Sequence, residues 1–529
     1  MLISQFEQVR NNIRHNLAFD DQVSAEESRR KGKELRKGTP RTSHGEWKAP
    51  EGRKSPVKLL ASQGASRVQE LLPIRYERMA ESPFTFYRGS ALVMANDLAQ
   101  TPQTGIHVQA CGDAHISNFG LFQSPERRLV FDINDFDETA RGPWEWDVKR
   151  LVASIEICAR QRGFAPEERS KAVLAGALGY RNAMNGFAEM GTLDVWYAHA
   201  DVEKLSAHIA QQIPKASRKT ASKTIEKARK KNSSRAVSKF TEIEDGKLRI
   251  VSQPPLIVPM RKLLKTNTDP LIANHTEKEY ERFIALVLAE YRKSLSRDKQ
   301  HLVKQYRAVD IARKVVGVGS VGTRAWIVVM EGSSASDMLV LQIKEAQESV
   351  LERYVGKSPF LQHGQRVVEG QRAMQTAGDI FLGWTRAEAA GREAARFLRA
   401  PAVGRQRLVR PGNHQRRIAY RPGQSMRLDA GACPCANRQP LLDFRLSGQK
   451  RHVRQGIAFL CAKLRRPKRA GLPGVHERLP SRQVELAVKI LIPLGGLACS
   501  GIARQIVDLT GNVGGLRSVS RRGIARVYE

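Results

Sequence analysis

Gly112-Asp113-Ala114-His115-Ile116-Ser117-Asn118, followed by Leu129-Val130-Phe131-Asp132-Ile133-Asn134-Asp135-Phe136-Asp137-Glu138, carries the most informative pattern in the chain. Residues 106–111 are apolar enough for a short strand that ends at Gly112 and delivers Asp113 to a strand end, a common place for chemistry. Asn118 follows Asp113 by five residues, so a carboxylate that can accept a hydroxyl proton is paired with an amide that can reach a metal. Residues 129–133 read as a second strand that runs into Asp135 and Asp137. Three carboxylates within six residues favour a bound cation. Asp135 is the candidate second metal ligand, Asp132 is the alternative because it leaves the strand first, and His115 is a candidate catalytic group inside the loop. Taken singly, an Asp near a Gly is usually a turn residue and a lone His a structural hydrogen-bonder. Their order and spacing together meet the needs of phosphoryl transfer: oxygen ligands for Mg²⁺, a carboxylate for the nucleophile, and cover for the phosphates.

Farther along, Gly317-Val318-Gly319-Ser320-Val321-Gly322 lies between strand-like residues 314–316 and 325–330, so the amides around Gly317, Gly319 and Gly322 can cradle phosphates. Lys344 ends the strand-like run 338–343, where a phosphate-binding Lys belongs. Glu369, in the helix-like run 365–375, is its expected partner, with Glu352 as the alternative. Residues 148–160, 166–190 and 277–299 carry helical apolar spacing. The expected organisation is a polar extension over 1–65, a catalytic-loop and metal-binding part over 66–200, a basic linker with helices over 201–305, and a small β lobe over 306–395.

The block from Gly112 to Asn118, with Asp135 and Gly142-Pro143-Trp144-Glu145-Trp146-Asp147, resembles the signature of aminoglycoside phosphotransferases and related small-molecule kinases. A longer similarity, over residues 32–384 and including Pro73-Ile74-Arg75-Tyr76, Ser82-Pro83-Phe84 and Tyr87-Arg88-Gly89, is to an uncharacterised bacterial family, domain of unknown function 2252. The resemblance implies a catalytic role for Asp113 and metal-ligand roles for Asn118 and Asp135. It implies that Asp147 braces the catalytic loop, with an N-cap before Val148 as a nearly equal alternative. An ordinary kinase runs from Gly-rich loop through Lys, Glu and hinge to catalytic loop and metal Asp, whereas this chain places the catalytic loop and metal Asp first. The expected class is therefore α+β: a protein-kinase-like two-lobe fold, circularly permuted, with the catalytic-loop lobe before the Gly-rich-loop lobe. Permutation is permissible when the old termini are neighbours and the new break is exposed.

The net charge of +35 suggests phosphate-backbone binding. Its distribution does not favour that reading: from Arg396 onward there are 27 Lys or Arg against 6 Asp or Glu, which accounts for +21. The run 215–239, rich in Lys, Arg and Ser, is read as solvated helix or linker. Beyond about residue 396, Arg, Pro, Gly and Ala dominate and apolar periodicity fades. Codons can be chosen for residues 396–408 that, read one base over, encode DFYVRQLWDGKGS, and for residues 426–439 that encode CAWTLARAHARTGN. Residues 459–469 can likewise encode FSARSYADQNE in the same phase. The expectation is a frameshift near residues 386–396 and a basic, poorly ordered tail over 396–529. The LARAHA segment resembles the helix before the catalytic loop in small-molecule kinases, so the permuted order closes.

Six cysteines, only Cys111 and Cys158 among the first 400 residues, give no disulfide framework and no paired zinc-ligand spacing. The first twenty residues lack a secretory apolar core, and residues 484–503 are interrupted by charge, Pro493 and Gly495-Gly496. The expected protein is a cytoplasmic phosphotransferase that uses ATP and Mg²⁺. Its partners are a nucleotide and a small-molecule or protein acceptor of unknown identity, with no membrane. The rival readings are a metal-dependent phosphoesterase, a nucleic-acid-binding protein, and a chain left inactive by its altered tail. Transfer of AMP rather than phosphate also stays open.

Overall fold

The computed structural model describes residues 25–45, 47–203, several positions within 222–240, and residues 241–266, 276–387, 395–401 and 406–408. The leader reading of the first twenty residues lies outside the described residues. So do most of the basic run 215–239 and the expected tail, except for the backbone of two short strands.

The described chain is a mixed α+β structure of helices and small antiparallel sheets. Helices α1 (Ala25–Gly38) and α2 (Pro56–Gly64) occupy the segment expected as a polar extension, and Leu59 and Leu60 of α2 enter the core. Helices α3 (Leu72–Ala80), α4 (Pro83–Arg88) and α5 (Ala91–Leu98) follow. The start of α4 is fixed locally. Pro83 stands in its first turn, Ser82 Oγ accepts from Thr85 N (3.1 Å), and Thr85 Oγ1 accepts from Ser82 N (2.9 Å), a reciprocal capping box.

Strand β1 (His107–Ala110) pairs antiparallel with β4 (Ala140–Pro143). Between them, β2 (Phe119–Gln123) and β3 (Leu129–Ile133) form a hairpin within the four-stranded sheet β14-β2-β3-β5, with β5 at Ala200–Asp201 and β14 at Gln406–Leu408. Helix α6 (Trp144–Gln161) is buried along most of its first thirteen residues and packs on α7 (Pro166–Phe187). The Trp144 and Tyr180 rings stack 5.5 Å apart across that contact.

The second sheet has the order β12-β13-β11-β10-β9-β8, antiparallel throughout. Its strands are β8 (Ile257–Pro259), β9 (Arg307–Lys314), β10 (Ala325–Glu331), β11 (Met338–Glu345), β12 (Gly383–Ala387) and β13 (Ala395–Pro401). A separate hairpin joins β6 (Thr241–Glu244) and β7 (Lys247–Ile250). Both faces of the larger sheet are covered, which is why β10 reads as a continuous apolar run. Trp326, Val328 and Met330 pack with Ile284, Val287 and Tyr291 of α8 (Glu277–Lys293), while Ile327 and Val329 point to the other face with Ile250, Ile257 and Val340. Full burial of such a side chain contributes about 1.5–3 kcal/mol. Helix α9 (His363–Met374) connects β11 to β12 and packs beside β12, β13 and β1. Among the described residues no helix is long and apolar enough to cross a membrane.

Candidate functional site

The loop after β1 is gripped at three points by one face of α6. Asp147 Oδ2 accepts from Cys111 N (2.7 Å) and Asp147 Oδ1 from Gly112 N (3.0 Å). Three residues on, Arg150 donates from Nε to Asp113 Oδ1 (2.5 Å), and Nη2 lies equally close to that oxygen. Four residues further, Ser154 Oγ accepts from Ile116 N (2.9 Å). Spacings of three and four place these side chains on one helix face, so a single rigid element sets the course of residues 111–116. Asp147 therefore braces the loop. Its carboxyl is pushed up to about 6, chiefly by burial, with the two amides opposing the shift. Burial, and then Asp147, raise the Cys111 thiol well above its ordinary value, which makes it a poor nucleophile.

Gly112 has φ +81°, and a Cβ there would stand 2.2 Å from Glu138 O, so only glycine lets the loop lie against the segment after β3. The Arg150 side chain is 2 % exposed and Asp113 19 %. Arg150 also donates to Tyr87 O (3.0 Å) and stacks 4.3 Å over the Tyr87 ring. Asn118 Nδ2 donates to Asp113 O (2.8 Å), which leaves its amide oxygen available as a ligand. His115 is buried against Phe84, its Nε2 3.8 Å from Asp113 Oδ2, too long for a direct hydrogen bond. Its pKa falls to about 3, mainly through burial, so the imidazole is neutral near pH 7.

The β2–β3 hairpin carries the acidic segment to the same place, with Asn134 N donating to Asn118 O (2.7 Å). Asp132 lies within β3 and its Oδ1 accepts from Ile133 N (2.8 Å). Asp135 and Asp137 face the distant half of the chain: Lys344 Nζ is 3.2 Å from Asp137 Oδ2 and 3.9 Å from Asp135 Oδ1. Partial burial and the neighbouring Asp137 raise the Asp135 carboxyl, against the pull of Lys344. Burial alone would lower the Lys344 ammonium, but Asp135 and Asp137 outweigh it and raise the pKa.

Neither glutamate expected beside Lys344 is its partner. Glu369 pairs with Arg372 (3.0 Å), one turn along the same helix, and Glu352 pairs with Arg366 (3.2 Å). Arg366, only 1 % exposed, is the residue that α9 turns toward the site. It donates to Asp137 O (2.9 Å), Gln347 O (2.8 Å) and Thr139 O, tying the acidic segment to the chain beyond Lys344. Glu138 Oε2 accepts from Val350 N (2.7 Å), and burial lifts its carboxyl to about 7.

The Gly-rich loop joins β9 to β10, with Gly317 at φ +65° and Gly322 at φ +90°. It is fastened to the helical segment through its carbonyls. Arg78 Nη1 donates to Gly317 O (2.7 Å), Arg67 Nη1 to Gly319 O (2.7 Å) and Val321 O (2.5 Å), and Val68 N to Gly322 O (2.8 Å). A Cβ on Gly319 would come within 3.2 Å of Arg88 O.

The donor set is one of hard oxygens. Among the described residues no three His, Cys, Asp or Glu side chains gather tightly enough to hold a metal by themselves. That composition suits Mg²⁺, which keeps several waters and takes one or two protein carboxylates plus phosphate oxygens. Asn118 and Asp135 fit such a role. Beside them, Ser117 Oγ and both side-chain polar atoms of Asn134 are buried with no hydrogen-bond partner, an unusual cost for a site with nothing more to bind.

Sequence reasoning missed Arg150, Ser154 and Arg366. The recoverable signal was the 147, 150, 154 spacing on a helix following the loop. The partners of Arg366 are backbone carbonyls, which leave no mark in a sequence. A family model described as an uncharacterized protein conserved in bacteria (DUF2252) matches residues 67–400. No curated protein and no solved structure matches the chain significantly.

Proposed function

The chain belongs to the bacterial DUF2252 family, and from its site geometry we propose that it is a Mg²⁺- and ATP-dependent phosphotransferase with a circularly permuted, kinase-like fold. The observation that carries the reading is Lys344 Nζ lying 3.2 Å from Asp137 Oδ2 across 207 positions of sequence. It unites the acidic segment after β3 with the strand that follows a Gly-rich hairpin. A protein kinase likewise orders a Gly-rich loop, then a Lys on the third strand, then a helix. Here β9, the Gly-rich loop, β10, β11 with Lys344, and α9 follow that order. The departure lies in α9, which offers Arg366 to backbone carbonyls in place of a Glu to the Lys.

In this reading Asp113, fixed by Arg150, accepts the acceptor's hydroxyl proton, and Asn118 and Asp135 hold Mg²⁺. Lys344 and the amides around Gly317, Gly319 and Gly322 hold phosphates, while neutral His115 packs behind Asp113 and shapes its surroundings. Bound Mg²⁺ would supply charge neutralisation on the phosphates.

The test is Mg²⁺-dependent ATP consumption by the full chain, with water as the default acceptor and ADP distinguished from pyrophosphate. Loss of roughly 10²-fold or more in Asp113→Asn, with nucleotide binding retained, supports a carboxylate acting on the acceptor. Metal-dependent hydrolysis of a simple phosphomonoester without ATP use would instead make the site a phosphoesterase.

A further inference from the structure

We propose that Lys344 is a counter-cation, seated on Asp135 and Asp137, that opposes the arrival of the divalent metal at Asp135, so that metal and nucleotide bind in coupled fashion. The inference rests on the metal–nucleotide reading above and goes beyond it by assigning Lys344 two alternative partners.

Lys344 Nζ contacts both oxygens of Asp137 (3.4 and 3.2 Å) and approaches Asp135 Oδ1 (3.9 Å). The Lys344 side chain is 17 % exposed, against 33 % for Asp135 and 34 % for Asp137. The carboxylates can therefore be reached from solvent, while the ammonium has little water with which to replace them. Neither Glu352 nor Glu369 can take Lys344 over, because Glu352 is held by Arg366 and Glu369 by Arg372. A dication arriving at Asp135 meets a positive charge already seated beside it, and like charges at this range repel strongly in a partly desolvated site.

The repulsion has one outlet. A phosphate oxygen entering at the Gly-rich loop gives Lys344 a new anionic partner, which frees the carboxylates for the metal. Lys344 is confined to this end of the loop. Its strand residue pairs with Ala325, and Glu345 N donates to Arg324 O (2.7 Å), two residues beyond Gly322. The fold thus holds Lys344 where it can serve either the carboxylates or the phosphates. By linkage, whatever nucleotide does for metal affinity, metal does equally for nucleotide affinity.

The sign of the predicted effect separates this role from that of a phosphate ligand alone. In the full chain without nucleotide, titrated with Mn²⁺ and followed by the electron paramagnetic resonance signal of the free ion, Lys344→Met should bind Mn²⁺ roughly tenfold or more tightly than wild type. Lys344→Arg, which keeps the charge, should stay near wild type. Lys344→Met should also bind ATP more weakly and show less metal–nucleotide coupling. Equal or weaker Mn²⁺ binding by folded Lys344→Met overturns the proposal. Should that variant fail to fold, wild-type protein supplies the second measurement: the rate at which an amine-reactive ester modifies Lys344, read by peptide mass spectrometry, should rise on adding Mn²⁺ and fall when ATP follows. A rate indifferent to Mn²⁺ overturns the proposal as well. If Mg²⁺ and ATP bind but Lys344→Met shows no gain, the competition is refuted and the phosphotransferase reading stands. If neither metal nor nucleotide binds, both fall together.

Discussion

Replacing Gly112 by alanine strains the site at one atom. The residue sits at φ +81°, where a Cβ costs about 1–2 kcal/mol. That Cβ would also stand 2.2 Å from Glu138 O and 2.8 Å from Glu138 C, so one backbone segment must move by roughly 1 Å to reach ordinary contact. Such overpacking adds about 1–3 kcal/mol, for a total of roughly 2–5 kcal/mol. Neither segment is free to yield. Cys111 and Gly112 are held by Asp147, and the Glu138 carboxylate and carbonyl by Val350 N and Ser349 Oγ. The displacement therefore falls on the relation between Asp113 and the Asp135 segment, and an error of that size can cost about 10²-fold in rate. Thermal unfolding and ATP turnover of Gly112→Ala, measured side by side, check the reasoning. A variant that melts within a degree of wild type and keeps full turnover would refute the close packing of these two segments.

Arg150→Lys keeps the charge but loses the fork that orients Asp113, so turnover should fall roughly 10- to 100-fold with KM for ATP nearly unchanged; a raised KM instead would place Arg150 in nucleotide binding. Asp147 is held near pKa 6 in the folded protein, above its ordinary value of 3.8. Its burial cost is thus present in full above pH 6 and fades as pH falls toward 4. Asp147→Asn should therefore compare more favourably with wild type at pH 7.5 than at pH 4.5, by about 2 kcal/mol in unfolding free energy. A pH-independent difference between the two proteins would contradict this. Arg67→Ala releases Gly319 O and Val321 O, and loosening the loop should weaken ATP binding about tenfold by calorimetry with a smaller effect on turnover of bound ATP.

The parts of the fold legible in the sequence were those whose pattern is local. Residues 129–133 match β3 because a short apolar run there ends in a cluster of acids, and the Gly-rich hairpin stood out through its glycines and β-branched flanks. Helix α2 went unread because only a few apolar residues such as Leu59 and Leu60 mark its buried face, amid Lys58, Ser62 and Gln63. Within the site, the loop residues stand out in the sequence through their order and spacing, and the structure joins Asp113, Asn118 and the Asn134 segment through Asn118 Nδ2 to Asp113 O and Asn134 N to Asn118 O. The residues that hold the loop do not stand out, because Arg150 resembles any helix arginine until the fold buries it against Asp113. Pairing failed for a related reason. Glu369 lies in the expected helix, but it pairs with Arg372 of its own helix, and the side chain that reaches the acidic segment from α9 is Arg366.

Calorimetric binding of ATP to the full chain, with and without Mg²⁺ and in wild type against Asp135→Asn, tests whether Asp135 holds a nucleotide-linked Mg²⁺. Binding should strengthen with Mg²⁺ in wild type and lose that gain in Asp135→Asn. ATP binding indifferent to both Mg²⁺ and Asp135, or no ATP binding by folded wild-type protein, would contradict this.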